Sequence, residues 1–137
     1  EGVEMIRGTC LCKAVEIEIS GTPRSLSYCH CRRCRKAEGV FAAVMIGAAS
    51  DLKIVKGDAA IKRYEPESPW THRRAFCKRC GSALGELHSG SIYIVAASLL
   101  DDDPGLRPSV HLNIASKPNW YEITDGLKTL AGNYSAD

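Results

Sequence analysis

Apolar and polar positions alternate with a period of two along much of this chain. In Ala14-Val15-Glu16-Ile17-Glu18-Ile19 the aliphatic residues fall on one face and the glutamates on the other, which predicts a half-buried strand ended by Gly21-Thr22-Pro23. Residues 26–28 carry the chain into a cysteine cluster, and residues 40–46, apolar almost throughout, predict a strand covered on both faces. Short strands are predicted over 52–55 and 60–64, joined around Gly57-Asp58, and a hairpin over 83–87 and 92–97 across Ser89-Gly90. Helical pattern is scarce: residues 32–38 predict one short turn stopped by Gly39, and residues 116–123 a short helix with Pro118 in its first turn. Pro66 and Pro69 mark an exposed loop. Many short strands with few helices predict an all-β domain of paired sheets.

The 137 residues are expected to form a single domain over 1–137. With 45% hydrophobic and 25% charged residues the composition is that of an ordinary globular domain and excludes wholesale disorder. No apolar run is long enough to span a membrane. Glu1 and Glu4 stand where a secretory leader would be basic. A net charge of +2 lacks the strong basic excess usual in a nucleic-acid-binding domain and by itself says little about such a partner. Asp101-Asp102-Asp103-Pro104-Gly105 lacks the spacing of a calcium loop and predicts a solvated turn.

The seven cysteines change the picture. They read Cys10-Leu-Cys12, Cys29-His-Cys31-Arg-Arg-Cys34 and Cys77-Lys-Arg-Cys80. A disulfide framework fits badly, because the count is odd and a pair one residue apart closes a strained ring. Buried apolar filling would not produce such spacings. Zinc does explain them: it takes four tetrahedral ligands, and short spacings let one tight turn present two thiolates to one ion. Cys10, Cys12, Cys77 and Cys80 then make a closed, structural four-sulfur site, with Gly81 letting the backbone turn back at positive φ. Cys29, Cys31 and Cys34 are left as three ligands with one open position, the arrangement of a reactive zinc. His72, His88 or His111 could instead close that second site. With two Zn2+ and seven thiolates the formal charge of +2 becomes about −1, which counts against a nucleic-acid partner.

Taken in order, Gly8-Thr-Cys10-Leu-Cys12, Cys29-His-Cys31-Arg-Arg-Cys34-Arg-Lys36-Ala-Glu-Gly39, Arg74-Ala-Phe-Cys77-Lys-Arg-Cys80-Gly81-Ser-Ala-Leu84, and His111 followed by Ser116-Lys117 and Trp120 make a specific pattern. It resembles the glutathione-dependent formaldehyde-activating enzyme family, which also contains centromere protein V-like proteins, over about residues 8–130. The resemblance implies a β-tent of small antiparallel sheets, a structural zinc on Cys10, Cys12, Cys77 and Cys80, and a second zinc on Cys29, Cys31 and Cys34. Two departures stand out: Lys13 occupies a position where the resemblance leads one to expect glycine, and Ala96-Ala97 replaces a glycine-containing segment.

The reaction so implied is carbon–sulfur lyase chemistry of the S-(hydroxymethyl)glutathione synthase type, in which a zinc-bound glutathione adds to formaldehyde or a related small electrophile. Arg32, Arg35 and Lys36, with Arg33 beside them, are the candidate anchors for glutathione carboxylates. Reduced thiolates make the cytoplasm the expected compartment. The other class of reading is a non-catalytic zinc-stabilised module, a thiol carrier or adaptor.

Overall fold

The computed structural model describes residues 5–133; Glu1 and Glu4, on which the leader expectation rests, lie outside them. The architecture is all-β in two sheets. The smaller sheet is antiparallel, with β2 (Glu16–Ile19) between β1 (Ile6–Thr9) and β5 (Leu52–Lys56). The remaining strands are β3 (Ser25–Cys29), β4 (Ala42–Ala48), β6 (Ile61–Arg63), β7 (Ala75–Cys77), β8 (Ala83–Ser89), β9 (Ile92–Ala96), β10 (Val110–Leu112) and β11 (Lys128–Thr129). They form a second sheet in the order β11-β10-β3-β4-β9-β8-β7-β6. This sheet is mixed, because β10 runs parallel to both β3 and β11.

The alternation in β2 works as its pattern predicts: Val15, Ile17 and Ile19 are fully buried while Glu16 and Glu18 stay partly open. These side chains join Met45, Leu84, Leu87, Tyr93 and Val95 in one core between the sheets. The central strand β4 starts two residues later than its apolar run, and none of its residues is fully exposed. The β8–β9 hairpin forms, with a bulge between Gly85 and Leu87. Gly85 is required there: at φ 89° a Cβ would stand 2.5 Å from the Ile94 carbonyl oxygen.

The one α-helix among the described residues, α1 (Arg32–Glu38), is a seven-residue element closed by Gly39, whose N–H bonds to the Arg35 carbonyl. The second expected helix does not form. Over 116–123 the chain makes only a short 3-10 turn ending at Ser116 and a hydrogen-bonded turn after Pro118. There the Tyr121 N–H bonds to the Pro118 carbonyl in a single turn, and the Lys117 ammonium caps it by donating to the carbonyls of Pro118 and Tyr121. Strands form at Leu52–Lys56 and, shorter than expected, at Ile61–Arg63 after a 3-10 turn, but they sit in different sheets and do not pair. The aspartate run is a surface turn tied to β1: Asp101 accepts from the Thr9 hydroxyl and Asp102 from the Arg7 N–H, both at 2.8 Å. No helix among the described residues is long and apolar enough to cross a membrane.

Candidate metal centres and the cleft beside them

Two tight turns face each other across the sheets. After β1, the Cys10 N–H bonds to the Val15 carbonyl and the Cys10 carbonyl accepts from Lys13. After β7 the pattern repeats, with Cys77 N–H to the Ser82 carbonyl and Gly81 N–H to the Cys77 carbonyl. Each turn needs a residue at positive φ, supplied by Gly81 (80°) and by Lys13 (66°). This is the physical reason for glycine after C-x-C, and Lys13 adopts the same backbone at some strain.

The turns bring Cys10, Cys12, Cys77 and Cys80 together with all four sulfurs within 4.8 Å of one another. A tetrahedral zinc with sulfur at about 2.3 Å requires sulfur–sulfur edges of about 3.8 Å. Cys10 and Cys12 are 3.7 Å apart, and Cys12 and Cys77 3.8 Å, so the donor set fits that ion and is far too open for disulfides. The Ser82 hydroxyl accepts from the Leu11 N–H at 2.9 Å and lies 3.3 Å from the Cys80 sulfur. Hydrogen bonds from the Ser82 side chain and backbone lower the Cys80 thiol to about 5. This group ties the small sheet to the large one.

The second cluster gathers Cys29 at the end of β3 with Cys31, just before α1, and Cys34 within it, again within 4.8 Å. Each sulfur has its own donor. Cys31 is the N-cap of α1 and accepts from the Cys34 N–H at 3.2 Å. Cys29 accepts from the Asn113 side-chain amide at 3.2 Å, and both terminal nitrogens of Arg74 lie 3.8 Å from the Cys34 sulfur. Crowding spreads the acidities: hydrogen bonds from Cys29 and then Cys34 lower Cys31, whereas contact with Cys29 and Cys31 raises Cys34. Three thiols that resist joint ionisation until a cation arrives are a fitting donor set for a metal.

No histidine joins either cluster among the described residues. His72 pairs with Glu86 at 2.7 Å and His88 bonds to the Leu52 carbonyl at 2.9 Å. His111 is fully buried and held between His30 (2.7 Å) and the Asp125 carboxylate (2.9 Å). His30 is equally buried, and burial followed by the His111 charge holds its pKa below the ordinary value. The parallel pairing of β10 with β3 sets this up, since Leu112 stands opposite Cys29 and its carbonyl accepts the His30 N–H. The same register delivers Asn113 to Cys29.

A cleft of about 900 Å³ opens over the triad. Arg32, Arg33, Lys36 and Arg74 line it together with Cys29, Cys31 and Cys34, and the Arg33 guanidinium stacks 4.2 Å above the Trp70 ring. Arg35, a third candidate anchor, is not among its lining residues, and its Nε is buried without a partner.

Residues 5–116 match the profile of a family described as "Glutathione-dependent formaldehyde-activating enzyme". The chain belongs to that family. A "Putative glutathione-dependent formaldehyde-activating enzyme" of Halomonas elongata is 34% identical over 129 residues, covering 87% of this chain and 81% of its own. An uncharacterised lyase of Schizosaccharomyces pombe is 26% identical over 120 residues, covering 86% and 85%. The crystal structure of a Rhodobacter sphaeroides protein superposes with a TM-score of 0.54 at 29% identity, covering 74% of this chain and 91% of that one. Family membership supports glutathione-dependent formaldehyde activation as the type of enzyme, and two cysteine clusters able to hold metal ions accompany it.

Sequence reasoning missed two donors to the triad, Asn113 and Arg74. Arg74 heads the segment that carries the resemblance, three residues before Cys77, but nothing in the sequence aims it at Cys34. Asn113 had no signal without the strand register.

Proposed function

We propose that this protein is a zinc-dependent enzyme of the carbon–sulfur lyase type that joins glutathione, or a similar thiol, to formaldehyde or a related small electrophile, giving S-hydroxymethylglutathione. The observation that carries this reading is the triad itself: three hydrogen-bonded sulfurs converge with no fourth protein ligand among the described residues, at the floor of a basic cleft. Cys29, Cys31 and Cys34 would hold the second zinc, and Cys10, Cys12, Cys77 and Cys80 the structural one. A zinc ion held by these three thiolates would supply the acidification of an incoming thiol while leaving its sulfur nucleophilic.

The protein's own residues do the rest. Arg32, Arg33 and Lys36 offer guanidinium and ammonium donors to the two carboxylates of glutathione, orienting its sulfur toward the triad. Arg74 and Asn113 point hydrogen-bond donors at the Cys34 and Cys29 sulfurs, which would stabilise their thiolates once a metal ion neutralises the cluster. A reducing compartment such as the cytoplasm suits seven free thiols.

The reaction of thiols with formaldehyde also proceeds unaided, so the test is excess rate. Adduct formation is followed with wild type, Cys31→Ser and a protein-free blank. Wild type is expected to exceed the blank and the variant to match it; no excess in wild type ends the enzyme reading.

A further inference from the structure

Cys29 and Cys34 border a second, smaller cavity of about 190 Å³ besides the basic cleft. Its character is opposite. Val44 and Ile46 of β4, Ile94 of β9 and Leu112 of β10 wall it, and the only ionisable groups besides the two thiols are Glu38, His72 and Arg74. His72 is already paired with Glu86, and Arg74 is directed at Cys34. Glutathione, a polar peptide with two carboxylates, matches the arginine-lined cleft and not this apolar chamber. Formaldehyde, with one carbon, would leave most of the space empty. Aliphatic cavities of about 150 Å³ hold benzene, so this chamber has room for about six carbons.

We propose that the chamber takes the carbon chain of the electrophile, so that the preferred partner of the thiol is an apolar aldehyde of up to about six carbons. The inference rests on the thiol-addition reading above. The step is an addition and needs no further reactant. The thiol sulfur forms a bond to the carbonyl carbon, the C=O π pair moves onto oxygen, and the proton lost by the thiol ends on that oxygen, giving an S-(1-hydroxyalkyl) thiol adduct. Glu38, which lines the chamber together with Cys34, is placed to carry that proton.

The test is adduct formation with glutathione and the series formaldehyde, propanal, butanal, hexanal and decanal, each against a protein-free blank. The expected result is a kcat/KM that rises about fourfold per methylene to hexanal and falls at decanal. Val44→Phe, which fills the chamber, is expected to lower the hexanal-to-formaldehyde ratio at least tenfold. A second arm titrates unreactive hexan-1-ol into the reduced protein and follows the methyl NMR signals of Val44, Ile46, Ile94 and Leu112. Saturable shifts confined to these methyls, lost in Val44→Phe, support the subsite. Turnover of formaldehyde with a flat aldehyde series and unmoved methyls overturns this inference and leaves the thiol-addition reading standing. Methyl shifts with no turnover of any aldehyde sink that reading and support the subsite.

Discussion

Replacing Asn113 by glycine isolates one donor of the second metal centre. Asn113 sits at φ 59°, so glycine keeps the backbone unstrained while deleting the amide that donates to Cys29 at 3.2 Å. Alanine would mix that loss with left-handed strain. A hydrogen bond to a charged group contributes about 1.5–3 kcal/mol, and a neutral amide at this length to a diffuse sulfur falls at the lower end. That corresponds to about a tenfold loss of metal affinity, within the 10–100-fold typical of groups that support metal ligands. The assay is competition for zinc with a chromophoric chelator under reducing conditions. Two release steps are expected in wild type, and Asn113→Gly should weaken one about tenfold and leave the other, the four-cysteine step, unchanged as an internal control. Two unchanged steps, or two steps weakened equally, would refute the assignment of Asn113 to the triad.

Cys77→Ser removes one of four sulfurs that join turns 65 residues apart. Because a structural zinc contributes on the order of 10 kcal/mol, comparable with the whole stability of a domain, the variant should lose its cooperative thermal transition. Lys13→Gly relieves a positive φ of 66° and should stabilise by about 1 kcal/mol, read as a rise in denaturation midpoint. Burial raises Glu38 from 4.5 to about 7 against the opposing pull of Arg74. Its folded pKa lies above its unfolded one, so the associated stability is full below about pH 4.5 and lost as pH rises through 7. Glu38→Gln should therefore gain about 1–2 kcal/mol on wild type between pH 4.5 and 8 in urea titrations, a figure already reduced for partial solvent screening.

The parts of this fold that were legible are those in which local pattern and local structure coincide. Val15, Ile17 and Ile19 alternate because they line a core, and Arg32–Glu38 stops where Gly39 can close a helix. Cysteine spacing foretold both clusters because a C-x-C or C-x-x-C turn is itself the device that aims two sulfurs. What the chain order hides is long-range register. Nothing in residues 110–112 announces parallel pairing with β3, yet that pairing carries Asn113 to Cys29 and His111 to His30. The histidines raised as closing ligands are engaged elsewhere, held by Glu86, by the Leu52 carbonyl and by the His30–Asp125 chain. Pro118 suits a helix start, but the chain closes only one turn there, with the Tyr121 N–H on the Pro118 carbonyl and the Lys117 ammonium capping it.

Cadmium-113 NMR of the reduced, cadmium-loaded protein addresses the four-plus-three partition most directly. Two resonances are predicted, one insensitive to added glutathione and one that shifts as the thiol completes the coordination of Cys29, Cys31 and Cys34. A single resonance, or a second one that glutathione leaves unmoved, would contradict the account.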